Sequence, residues 1–139
     1  MGVLFMLTQE ELNVYAERAA VLRALGFYSY EAYLKSDLWQ EIRHKILAPA
    51  ARCCGCNRKP TQVHHARYSM NVMMGKDVKY LVPVCGTCHH KSEFDNHGEK
   101  LGPQRATVKL NSIRRSNTKP YKKSSISREN LWRKILNIE

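Results

Sequence analysis

Two cysteine pairs, Cys53-x2-Cys56 and Cys85-x2-Cys88, stand 28 residues apart and constrain this 139-residue chain more than any other feature. Two intervening residues let both sulfurs of a pair turn toward one ion, and four thiolates complete the closed tetrahedron that zinc favours. The spacing therefore predicts a structural zinc site that ties together the two ends of the intervening segment. A core of ~50 residues is thin, and a bound metal contributes folding free energy directly. The apolar run from Gly2 to Met6 leads straight into Glu10 and Glu11, so it is not read as a secretion leader. A cytoplasmic, thiol-retaining setting is the expectation, which disfavours disulfides. Cys54 is left outside the set.

Charge is distributed unevenly along the chain. Net formal charge is −1 over residues 1–50, +4 over 51–100 and +8 over 101–139, for a total of +11. Such a gradient fits a polyanionic partner for the C-terminal two-thirds. No apolar stretch approaches the ~20 residues of a membrane span, so no membrane association is expected.

Helical signals fill the N-terminal third. Thr8-Gln9-Glu10-Glu11 is a capping box, followed by Leu12, Tyr15, Ala19 and Leu22 at helical spacing and by Gly26 as a stop. Ser29 to Leu34 predicts a short second helix. Ser36 caps a third, with Trp39, Ile42 and Ile46 on one face and Pro49 beyond its end. Val82-Pro83-Val84 reads as an extended run, with a helix starting near Cys88. From about residue 101 the pattern weakens. Residues 116–127 read as a basic linker, and Ser127 as the cap of a last short helix. The chain thus divides into an N-terminal helical segment (1–50), a zinc-bearing core (51–100) and a basic C-terminal tail (101–139).

Five of the six histidines lie within residues 51–100, and two of them, His64 and His65, are neighbours in a β-like run. Side chains of successive strand residues point to opposite faces. The two rings are therefore expected to do different jobs. One suits a metal ligand, and the other, facing solvent, suits a general base near neutral pH.

The ordered set Cys-x2-Cys, Val-His-His-x2-Tyr and Leu-Val-Pro-Val-Cys-x2-Cys-His resembles the HNH endonucleases of the ββα-metal group. The likeness spans roughly residues 33–93, including a preceding helix with Trp39, Arg43 and Leu47. It implies an α+β fold: a treble-clef-like, zinc-bound ββα core with N-terminal helices and a basic C-terminal extension. It further implies metal-dependent hydrolysis of DNA phosphodiester bonds, double-stranded DNA being the expected partner. By this resemblance His65 is the general base, and His64 and His89 ligate a catalytic divalent ion, Mg²⁺, Mn²⁺ or another transition metal. Glu93, at i+4 from His89, is a further candidate ligand. Tyr80 occupies the place of the family's central Asn, leaving Asp77 or Asn71 to brace the loop. Arg67, Arg105, Lys109, Arg114, Arg115, Lys122 and Lys123 are the candidate nucleic-acid contacts. The alternative is a catalytically silent, zinc-bound nucleic-acid-binding module.

Overall fold

Three serine or threonine hydroxyls start the first three helices. In the computed structural model, which describes residues 8–118, Thr8, Ser29 and Ser36 each accept a hydrogen bond from a backbone N–H three residues on. These caps satisfy amides that the first helical turn leaves open. They initiate α1 (Gln9–Ala24), α2 (Tyr30–Leu34) and α3 (Asp37–Ile46). Gly26 follows α1 with φ of +90°, a conformation that L side chains resist.

The remainder runs as β1 (Gln62–His65), α4 (Met70–Met73), a 3₁₀ turn (Val78–Tyr80), β2 (Leu81–Val84), α5 (Gly86–Glu93) and α6 (Pro103–Thr118). β1 and β2 form a two-stranded antiparallel sheet with His64 opposite Val82 and His65 opposite Leu81. Pro83 is tolerated because each strand of a two-stranded sheet has an open edge. The chain is thus α+β, with a small hairpin leading directly into a helix. α5 starts earlier than the sequence suggested. Cys85 is its N-cap, the sulfur accepting from the Cys88 N–H.

The larger core joins the helices to the hairpin. Val21, Leu22, Tyr33, Trp39 and Ile42 pack with Val63, Tyr68, Val72, Met73 and Leu81. The Tyr33 hydroxyl donates to the Met73 carbonyl at 2.7 Å, which satisfies a phenol buried in that core. A Cβ on Gly75 would lie 2.7 Å from Ile42 Cγ1, so the loop after α4 approaches α3 as closely as glycine permits. A second cluster gathers Cys53, Cys88, Val84 and Leu110.

The weakening pattern after residue 101 does not mark the end of the packed structure. α6 is a 16-residue helix, with Pro103 at the first position where a missing N–H costs nothing. Leu101, Ala106 and Leu110 are buried. Their stripe is narrow and one member is alanine, so the periodic signal was faint. The expected linker begins within α6 at residue 116, and the last predicted helix, after Ser127, lies outside the described residues. No helix among the described residues is long and apolar enough to cross a membrane.

Candidate functional site

The four cysteines converge as the spacing predicted. The sulfurs of Cys53, Cys56, Cys85 and Cys88 all lie within 4.8 Å of one another. Cys56 and Cys85 Sγ are 3.7 Å apart, close to the ~3.8 Å edge of a tetrahedron with Zn–S bonds of ~2.3 Å. The first knuckle is closed by Asn57 N–H to the Cys53 carbonyl (2.8 Å) and Cys53 N–H to the Arg58 carbonyl (2.7 Å), with Asn57 in the left-handed region. A Cβ on Gly55 would meet Cys88 Sγ at 2.8 Å, so only glycine lets the knuckles close. Burial works to raise the Cys53 thiol, but backbone N–H groups of Cys56, Cys85 and Gly55 outweigh it and bring it down to about 7. The four thiols are positioned to hold a metal ion, and four sulfurs in this shape suit zinc. Cys54 is outside the cluster; its N–H bonds the Pro83 carbonyl and anchors the knuckle to β2.

Along β1 and α5 lies a cavity of about 680 Å³. His64, His65, His89 and Glu93 line it together with Tyr15 and Arg18 from α1. His89 Nδ1 is 2.6 Å from Gln62 Oε1, and its Nε2 is 3.1 Å from Glu93 Oε1. The bond from His89 holds the Glu93 carboxyl below its usual range. His64 faces the His89 ring at 5.7 Å between centroids, and its Nε2 meets the Thr107 hydroxyl at 2.8 Å. Two imidazoles and a carboxylate form a donor set suited to a divalent transition ion. The Nε2–Oε1 gap fits neighbouring ligands on an ion with bonds of ~2.1 Å. Among the described residues, however, only the cysteine set brings three or more ligand atoms within 4.8 Å. His64 is oriented toward the pair rather than closed upon it.

The expectation that one member of the histidine pair faces solvent is overturned. Both rings are 4% exposed. His65 is boxed by Trp39 at 4.6 Å, Tyr68 at 5.5 Å and Tyr30 at 5.8 Å between centroids. Its Nδ1 shares a 3.0 Å hydrogen bond with the Tyr30 hydroxyl, and its Nε2 is buried with no partner among the described residues. Burial, aided by the charge of His89, lowers His64 to about 4; burial, then the charges of His64 and Arg18, lowers His65 to about 3. Both rings are therefore neutral at physiological pH. The cause is a set of rings from α2, α3 and the loop after β1, which together cover a strand face that the sequence alone leaves open.

Of the two candidates for the loop brace, Asp77 precedes the 3₁₀ turn and makes no side-chain cap bond there. Asn71 is exposed, and it is its backbone carbonyl that accepts from Lys76 and Asp77 N–H. Beyond His65 the hairpin is closed by Ala66 N–H to the Tyr80 carbonyl at 2.8 Å. A main-chain bond thus holds the position where the resemblance led one to seek an Asn side chain.

The proposed basic contacts divide by environment. Arg67 is exposed and stacks on Tyr80 at 4.5 Å. Arg105 instead pairs with buried Glu11 at 2.9 Å, and Lys109 donates to the Phe94 carbonyl. These two tie α6 to the rest of the fold. Arg114 and Arg115 lie exposed toward the end of α6, while Lys122 and Lys123 fall outside the described residues.

Arg18, Tyr30, Gln62 and Thr107 did not stand out in the sequence. Arg18 had one local signal: it is a cation three residues after Tyr15 and four before Leu22, on the apolar stripe of α1. Comparison with known protein families, curated proteins and solved structures found no match.

Proposed function

We propose that this chain is a metal-dependent nuclease of the HNH type, hydrolysing DNA phosphodiester bonds. The observation that carries the reading is the meeting of His64, His89 and Glu93 on the wall of a single cavity that His65 also lines. The hairpin and following helix match the order of a ββα-metal core, with the cysteine cluster at their base. A divalent ion bound by His64, His89 and Glu93 would stabilise negative charge on the phosphate and on the leaving oxygen. Gln62 fixes the His89 ring. His65, neutral at working pH, would take a proton from the attacking water, its Nδ1 held by Tyr30. That role requires Nε2 to gain access to the cavity.

The sealed Nε2 favours a second reading, a zinc-bound module that binds nucleic acid without cutting it. Supercoiled plasmid incubated with Mn²⁺ or Mg²⁺, against EDTA, separates the two. The nuclease reading expects metal-dependent nicking, lowered ~10²–10⁴-fold in His65→Asn. In His64→Ala and His89→Ala, excess Mn²⁺ should partly restore cutting. Plasmid that is bound yet stays intact with every divalent ion would establish the silent module instead.

A further inference from the structure

The side chain of Arg18 is the best-placed anion ligand in the cavity. Its guanidinium lies 4.4 Å from the Tyr30 ring centroid, 5.0 Å from that of Tyr15 and 5.1 Å from that of Tyr68. It also lies close enough to the Tyr68 side chain to work against the burial that raises that phenol. Three rings thus hold a half-buried, permanently charged fork in one place. Among the described residues no carboxylate pairs with it; the ion pairs there involve His89, Lys100 and Arg105. A guanidinium carries five donors, and stacking over ring faces occupies none of them. The lining also includes Arg43 and Lys100, with Glu93 its single carboxylate among the described residues. Glu93 is already engaged by His89 and, at 3.8 Å, by Lys100.

We propose that Arg18 holds a phosphate group in this cavity, between its tyrosine platform and the His64–His89–Glu93 wall. A partly desolvated planar fork is matched to phosphate oxygens and binds them by charge-assisted pairs. The net charge of +11 favours a phosphodiester of a nucleic-acid backbone as the source. Only the identity of that polymer rests on the nuclease reading. α1 thereby contributes to the binding site as well as to the core.

The test is binding of a 20-base-pair duplex, by fluorescence anisotropy across a salt series without added divalent ions. Inorganic phosphate is titrated in parallel. Arg18→Met keeps the aliphatic stem on the rings and removes the charge. It should weaken duplex binding on the order of tenfold. The slope of log affinity against log salt should flatten by ~0.9, the value of one duplex phosphate contact. Arg18→Lys should keep the wild-type slope with reduced affinity, which separates charge from fold should Arg18→Met lose structure. An unchanged slope and affinity in a folded Arg18→Met, with bound zinc intact, overturns the proposal. Loss of inorganic phosphate binding alone, with duplex binding unchanged, overturns the backbone as the source. Failure of the wild type to cut plasmid, with the Arg18 effects present, would sink the nuclease reading and leave this one standing.

Discussion

Thr107 on α6 fixes which nitrogen of His64 carries the proton. The hydroxyl gives its single hydrogen to the Pro103 carbonyl at 2.7 Å, so at 2.8 Å it can only accept from His64 Nε2–H. Nδ1 of the neutral ring is then the lone-pair atom offered to an ion. Partners that orient a ligating histidine typically change metal affinity ~10–100-fold when lost. Thr107→Val should weaken Mn²⁺ binding by that factor in calorimetric titration and leave the cysteine-bound metal untouched. Thr107→Ser should restore it. Equal Mn²⁺ affinity in Thr107→Val and wild type would remove Thr107 from the site.

The knuckle makes its own prediction through Gly55. Gly55→Ala must move Cys88 Sγ or the backbone, because the added methyl would lie 2.8 Å away. Metal retention against a chelator should fall, and Cys53→Ser or Cys88→Ser should lose the ion with the fold of residues 51–95. Cys54→Ser should retain both. Metal content measured after chelator challenge checks the series, and loss from Cys54→Ser with retention in Cys53→Ser would reverse the ligand assignment.

Arg105 is expected to act on stability before affinity. Its partner Glu11 is 5% exposed, and the arginine side chain is 55% exposed, so solvent screens the pair in part. Arg105→Ala should cost about 1 kcal/mol, mostly from leaving the buried carboxylate with fewer donors. A double-mutant cycle with Glu11→Gln in urea should recover most of that cost. Additive losses would show that the two side chains act independently.

Acid should destabilise the metal-free protein early. Neutral His64 and His65 are favoured in the folded state, with folded values of about 4 and about 3 against ~6.5 unfolded. Their contribution is complete above pH ~6.5 and is lost as pH falls toward those folded values, because the unfolded chain takes up the protons first. Urea midpoints between pH 8 and pH 4 should drop less steeply in His65→Phe than in wild type. Parallel curves would mean that His65 titrates alike in both states.

The local signals were legible where one turn of chain decides the outcome. Thr8, Ser29 and Ser36 each cap within three residues, and each cysteine pair needs only its own knuckle. The covering of His65 was not legible, because it depends on Tyr30, Trp39 and Tyr68 arriving from three separate segments. α6 failed for a different reason. Its stripe of buried Ala106 and Leu110 with half-buried Ile113 is too slight to compete with the polar residues around it. A truncation after residue 104, reasonable if the tail were an appendage, would remove part of the core.

α6 also reaches three parts of the molecule in turn. Arg105 meets Glu11 of α1, Thr107 meets His64, and Asn117 Nδ2 donates to the Gly55 carbonyl in the first knuckle at 2.8 Å. Sixteen residues at 1.5 Å each form a strut of about 24 Å, stiff over its length. α6 thereby links the first knuckle to the hydroxyl that holds His64. Were ions bound at both places, any coupling through this strut would be reciprocal: whatever factor the first ion added to binding of a second in the cavity, the second would add to retention of the first.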